Sequence, residues 1–311
     1  MAMRYESSPL KRVVSSAVAV AVAIGLAAGN QTIAWAARPF VYHEGLIFLE
    51  CRVNQMAALC LLDTGANVSA IDIGLAERLG LAKLRDSRVT GTTGTVPVAM
   101  VRIDELTIHG ETARDLEVTR RDIQHGATPD GRRLDMIVGY DFLKGRALQI
   151  DFKNRALNYS PRGDECDHWL DMELDDGIPR VAATLESKHE TWLRIDTGAS
   201  LFATKDVYVN LTQRDAEALM RLRPDMQADS HLSATGIGGE VRLPVYRLES
   251  MRLGGLEVRQ PFGIVQPAQG YFARPDAVGF FGNNLLEQHT PIVLDFRGGR
   301  LGFTCRETTQ P

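Results

Sequence analysis

Apolar residues along this chain fall in short runs bounded by glycine and polar turns, a pattern that predicts strands rather than long helices. Leu46–Val53 and Ala57–Leu62 flank Asn54-Gln55, a hairpin-like turn. Val96–Ile103, Leu106–Ile108, Leu148–Phe152, Val241–Leu248 and Ile292–Phe296 are further strand candidates. Helical signals are few and brief. One covers Ile73–Leu79, a turn or two follows Gly139 and Gly282, and Arg214–Leu222 reads as one more helix. Many short strands with glycine turns predict an all-β sandwich or barrel.

Self-comparison changes the picture, because the pattern occurs twice. Leu61-Leu62-Asp63-Thr64-Gly65-Ala66 returns as Arg194-Ile195-Asp196-Thr197-Gly198-Ala199, displaced by 133 residues. Thr90-Gly91-Thr92-Thr93-Gly94-Thr95-Val96 is matched by Thr235-Gly236-Ile237-Gly238-Gly239-Glu240-Val241 at a displacement of 145. Ile137-Val138-Gly139 with Phe142-Leu143 pairs with Phe280-Phe281-Gly282 and Leu285-Leu286 at 143. Asp151-Phe152 and Leu157 pair with Asp295-Phe296 and Leu301 at 144. Four landmarks in one order imply two tandem β-domains. The second copy's extra residues fall between Thr197 and Thr235, where the additional helix is expected. The boundary is expected in Ser160-Pro161-Arg162-Gly163-Asp164, a turn-rich polar stretch.

Charge and termini refine the class of molecule. With a formal net charge of −4 and pI near 6.0 over 311 residues, nothing recommends nucleic acid as a partner. Lys11 and Arg12 precede an apolar run from Val13 to Ala28, and Ala34-Trp35-Ala36 offers a small-residue exit. That order predicts a signal peptide over residues 1–36. The run is 16 residues, short of the roughly 20 that cross a bilayer comfortably. An uncleaved membrane anchor is the alternative. The expected product is periplasmic or secreted and monomeric, without stable membrane insertion once cleaved. Its lobes would span 37–163 and 164–311. Cys51, Cys60, Cys166 and Cys305 have no zinc spacing. Cys166 and Cys305 each lie just beyond the last strand of a repeat, which suggests a bridge between them, with buried free thiols as the other reading. No metal or cofactor motif appears: the histidines form no HExxH, and neither a nucleophile elbow nor a phosphate loop is present.

The candidate chemistry sits in the repeated Asp-Thr-Gly. A single such triplet is an ordinary turn. Two, each after an apolar strand and each followed by a glycine-bearing hairpin and an apolar-apolar-Gly segment, resemble the retropepsin-type aspartic protease domain. Gly282-Asn283-Asn284-Leu285-Leu286 is similar to the helix start of retroviral proteases, and two such units in one chain resemble the bilobal arrangement of pepsin. The resemblance implies a bilobal acid-protease fold of two retropepsin-like β-barrels. It also implies an aspartic endopeptidase whose Asp63 and Asp196 meet and hold a water. Thr64 and Thr197 would hydrogen-bond across to the opposite loop, and Gly65 and Gly198 would let backbone amides reach the carboxylates. Thr90–Arg102 and Thr235–Arg247 would be flaps, with Thr90, Gly91, Gly94, Thr235, Gly236 and Gly239 at their substrate-facing turns. Gly139 and Gly282 would support the loops from behind. The substrate would be polypeptide.

The chemistry such a pair offers is simple. Two carboxylates in contact cannot both ionise, so one serves as base for water while the other donates to the scissile carbonyl. Pepsin is the standard case of that pair. Two features depart from the pattern. The flap tips lack a tyrosine like that of pepsins. Arg194 returns to the face of Asp196, where the first copy has Leu61; it would either bias that carboxylate toward ionisation or extend to solvent. Competing functions are a non-catalytic peptide-binding protein on the same fold and a carboxylate-pair glycosidase, which needs its carboxyl groups at least about 5 Å apart.

Overall fold

The computed structural model describes residues 2–4, 38–123, 128–159, 166–201 and 204–306. The expected signal peptide, apart from a short strand Ala2–Arg4, and the expected boundary at 160–164 lie outside the described residues. What is described is an all-β molecule with few and short helices.

The first half is one eight-stranded sheet. Leu46–Val53 and Met56–Leu62 form a hairpin whose turn residues, Asn54 and Gln55, both have positive φ. Met136–Val138 pairs parallel with Met56–Leu62 and antiparallel with Ala70–Asp72, which pairs parallel with Glu111–Arg121. Glu111–Arg121 continues antiparallel to Thr95–Ile108, and that strand to Lys83–Thr90. The sheet curls on itself, since Thr95–Ile108 also pairs with Leu46–Val53. Alternation along these strands sends Leu49, Cys51, Val53 and Val101, Ile103 into one core.

The second half repeats these pairings. Ile178–Leu185 and His189–Ile195 form the hairpin, and Gly279–Phe281 runs parallel beside Ile195 and antiparallel to Tyr208–Leu211. Tyr208–Leu211 pairs parallel with Phe262–Val265, which leads to Gly239–Arg247 and Ala228–Gly236. One difference is that the long first-half strand Thr95–Ile108 corresponds here to two pieces, Gly239–Arg247 and Ser250–Leu253. The extra helix forms as Gln213–Leu222, started by Thr212 and Asp215 in a reciprocal capping box.

Between the halves lies a six-stranded layer. Arg38–Pro39, Ala156–Tyr159, Ala147–Asp151, Ile292–Asp295, Arg300–Cys305 and the start of Cys166–Asp175 follow one another in hydrogen-bonded order. Its central pairing, Ala147–Ile150 with Ile292–Asp295, joins strands from the two halves. Cys166 stands opposite Cys305 in register, and the two form a disulfide. A second disulfide joins Cys51 to Cys60. The apolar core runs through this layer into both halves without a break. Asn210, which opens the sequon-like triplet Asn210-Leu211-Thr212, is fully buried, and its Oδ1 accepts from Gln266. That burial removes it as a glycosylation acceptor.

Candidate active site

The two Asp-Thr-Gly loops meet at the junction of the halves. Each starts where an apolar strand ends, and each is held open by the neighbouring parallel strand. Asp63 N–H donates to Val138 O and Asp196 N–H donates to Phe281 O, both at 3.0 Å. Gly65 N–H donates to Asp63 Oδ1 at 2.9 Å, and Gly198 N–H donates to Asp196 Oδ1 at 3.0 Å.

The threonines tie the loops together. Thr64 Oγ1 donates to Ile195 O at 2.6 Å and accepts from Thr197 N–H at 3.0 Å. Thr197 Oγ1 donates to Leu62 O at 2.9 Å and accepts from Thr64 N–H at 3.0 Å. All four bonds cross between the halves, and both threonines are completely buried.

The glycines explain how close the carboxylates come. A Cβ at Gly65 would stand 2.5–2.8 Å from the carboxylate atoms of Asp196, and one at Gly198 would stand 2.3–2.6 Å from those of Asp63. No side chain fits at either position, so glycine is required by contact. Gly139 and Gly282 are constrained in the same way, each with a would-be Cβ 2.5 Å from the carbonyl oxygen of Ala66 or Ala199 respectively. They back the two loops as expected. Ser69 Oγ also accepts from Gly139 N–H at 2.9 Å.

Asp63 and Asp196 are hydrogen-bonded to one another, and burial followed by the charge of Asp196 pushes Asp63 up to about 7. A carboxyl group that keeps its proton to that pH beside a second carboxylate is the arrangement general acid–base hydrolysis requires. The same contact disfavours the glycosidase reading, which needs a gap between the groups. Among the described residues, no three His, Cys, Asp or Glu side chains form a cluster able to hold a metal ion.

Arg194 does neither of the things its position suggests. It is 8% exposed, its Nε and Nη2 donate to Asp175 Oδ2 at 3.1 and 2.5 Å, and its guanidinium lies 4.0 Å over the Tyr271 ring. Asp175 comes from the adjoining hairpin and neutralises it, so its charge is spent there rather than on Asp196.

The expected flaps are the hairpins Lys83–Ile108 and Ala228–Arg247, and their tips touch. Thr90 and Thr95 face each other across the first tip with hydroxyls 2.9 Å apart, and Gly91 N–H donates to Gly94 O at 2.9 Å. Thr235 opposes Glu240 and Gly236 opposes Gly239 in the second. Thr93 Oγ1 donates to Ile237 O at 2.7 Å across the two tips. Gly94 and Gly238 approach until a Cβ on Gly238, at φ +114, would stand 2.4 Å from Gly94 N. A seat that the sequence did not announce lies beside them: Tyr271 N–H donates to Gly91 O at 2.9 Å, and Gly270 packs under the first tip. Asn283 is a second such residue, its Nδ2 donating to both Thr197 O and Gly45 O at 2.8 Å.

Residues 49–142 match the protein family described as aspartyl protease. Protein DDI1 homolog 2 of Mus musculus is 24% identical over 151 residues, 47% of this chain and 35% of that protein. Its counterpart in Danio rerio is 25% identical over 166 residues, 52% of this chain and 38% of that protein. The chain thus spans little more than a third of the curated relatives it matches. Among solved structures, a retropepsin-like aspartic protease from Rickettsia conorii is 20% identical, with a TM-score of 0.30, over 43% of this chain and 86% of that one. The segment carrying Asp63, its loop, the first flap and Gly139 is therefore similar to the aspartyl protease family.

Proposed function

We propose that the chain is an aspartic endopeptidase built from two tandem retropepsin-type lobes. Asp63 and Asp196 activate a water and protonate the scissile carbonyl. The observation that carries this reading is the hydrogen-bonded carboxylate pair, one group from each half, held by reciprocal threonine bonds. The ionised carboxylate takes a proton from water, and the protonated one donates to the carbonyl oxygen as the tetrahedral species forms. On collapse the amine leaves with a proton returned through the dyad.

The two flaps roof the dyad, and substrate lies beneath them as an extended strand, bound through its backbone. The short strand Ala2–Arg4 supports that mode, since it pairs with Ser200–Leu201 on one side and Ser233–Thr235 of the second flap on the other. Thr90, Gly91, Gly94, Thr235, Gly236 and Gly239 shape the roof. The active unit is a monomer, because both carboxylates come from one chain. The N-terminal charge and apolar pattern support export to the periplasm or beyond.

Digestion of a mixed peptide library at pH 4 and pH 7 by wild type and by Asp196→Asn tests the proposal. Cleavage that depends on Asp196 is expected. Its absence at both pH values would move the reading to a peptide-binding protein on the same fold.

A further inference from the structure

We propose that Asp141 is a positioning residue for Asp63, a buried carboxylate that holds the Asp63 loop in place through Ser69 and the peptide unit between Val138 and Gly139. The inference rests on the proteolytic reading of the site and deepens it, by naming what keeps one half of the dyad in register.

From Asp141 to Asp63 runs one unbroken line of hydrogen bonds. Asp141 lies in the short helix Tyr140–Leu143, two residues past Gly139. Its carboxylate accepts from the Ser69 hydroxyl, from Ser69 N–H at 3.0 Å and from Phe142 N–H at 2.9 Å. Ser69 Oγ in turn accepts from Gly139 N–H at 2.9 Å. That N–H belongs to the same planar peptide unit as Val138 C=O, the acceptor of Asp63 N–H at 3.0 Å. One rigid plane is gripped from behind by Ser69 and holds Asp63 in front.

Each member of the line is fixed by further contacts. Ser69 is completely buried, and its carbonyl accepts from Thr119 N–H at 3.0 Å. The far side of Gly139 is pinned to the Asp63 loop by Tyr140 N–H, which donates to Ala66 O at 2.8 Å. A carboxyl group that takes three donors serves all of them only when it is ionised. Burial raises Asp141, and the donors from Ser69 and Phe142 act against that rise. An anion at the end of a buried chain of hydrogen bonds polarises every bond along it, which makes Val138 O a firmer acceptor for Asp63.

The second half does without this charge. Phe281 O accepts from Asp196 N–H at 3.0 Å, as Val138 O does from Asp63, but the residue two past Gly282 is Asn284. Its Nδ2 donates to Leu201 O at 3.4 Å and to Thr204 O at 3.0 Å, and its Oδ1 has no partner. Beside Gly282 stands the Tyr208 hydroxyl, 2.5 Å from where a Cβ would be, and it too makes no hydrogen bond. The two loops are alike in front and different behind, with an anion backing Asp63 and neutral groups backing Asp196.

The test cuts the line without touching a charge. Ser69→Ala should lower kcat on a cleaved peptide about tenfold with KM within about twofold of wild type, and Ser69→Thr, which keeps the hydroxyl, should recover most of the loss. Asp141→Asn should lose a similar factor, and combining it with Ser69→Ala should add little, since both break one line. Should Asp141→Asn fail to fold, the two Ser69 variants decide alone. A second readout needs no turnover: NMR titration of protein labelled at the aspartate carboxyl carbons, with the Asp63 signal identified by its absence in Asp63→Asn. Wild-type Asp63 should titrate at about 7, and in Ser69→Ala it should move toward the ordinary carboxylate range, because a slack loop lets the pair part. A kcat or an Asp63 titration that Ser69→Ala leaves unchanged would overturn the assignment, as would a loss confined to KM or one that Ser69→Thr does not restore. If wild type cleaves no peptide while the titration still moves, the proteolytic reading fails and the positioning role stands, so the two failures are told apart.

Discussion

At the scale of single residues, the site is decided by two pairs, the carboxylates and the threonines. The raised value of Asp63 has a definite consequence for stability. The folded protein holds a proton up to about pH 7 that the unfolded chain releases near its ordinary carboxylate value, so folding stability falls as pH rises through that window. Asp63→Asn should remove this slope and be more stable than wild type above pH 7, as urea titrations at pH 4 and pH 8 would reveal. Equal slopes would contradict the raised value. For activity the sign is the same: the shared proton is lost as pH climbs past about 7, so kcat/KM should decline on that side. The threonines predict differently. Thr64→Val removes one hydroxyl that serves two buried backbone groups, Ile195 O and Thr197 N–H, at about 1–3 kcal/mol for each orphaned group. Thr64→Ser should restore both bonds, so thermal melts of the two variants should separate clearly. These residues were legible from sequence because a repeated triplet is conspicuous. Asn283 and Gly270 were not, because a lone amide or glycine acquires meaning only from what the fold sets beside it.

At the scale of elements, the two hairpins meet tip to tip through backbone contacts that leave no room for side chains. Gly238→Ala would put a methyl group against Gly94 N at a left-handed φ, which should disturb the closed tips without touching the core. The expected result is a higher KM and a several-fold lower kcat/KM with little change in melting temperature, and an unchanged KM would count against tip contact in substrate binding. Strand recognition from the pattern was uneven for a physical reason. Leu46–Val53 is buried on both faces near its start and reads as a plain apolar run. Lys83–Thr90 is mostly exposed and carries charges, so it has no apolar signature, although it pairs along its length with Thr95–Val101. Val96–Ile103 and Leu106–Ile108 look separate because Asp104-Glu105 interrupts them, yet one strand, Thr95–Ile108, runs through both. Asp104 faces outward there and Glu105 is half-buried, with Asn54 Oδ1 accepting from both backbone amides.

At the scale of the whole molecule, the six-stranded layer makes one body of two halves. Its disulfide links residues 139 apart in sequence and staples the outer pair of strands. Long loops restrict the unfolded chain most, so Cys166→Ser with Cys305→Ser should cost about 2–5 kcal/mol in denaturant titrations. Removing Cys51–Cys60, which closes a separation of only 9 residues, should cost less. The pairing of Cys166 with Cys305 was foreshadowed by their places after matching strands. That of Cys51 with Cys60 was not, since cross-strand neighbours in one hairpin carry no positional cue until the register is known.

The crossed threonine bonds bear on when the molecule first becomes competent. Each of the four crossed threonine bonds takes one partner from beyond residue 194, and Gly282, behind the other loop, comes later still. A growing chain that has produced only its first barrel therefore owns one carboxylate, loosely held and with nothing to share a proton. On the proteolytic reading proposed above, chemistry would begin only when synthesis is nearly finished, and a cell making this protein would be spared cutting by unfinished copies.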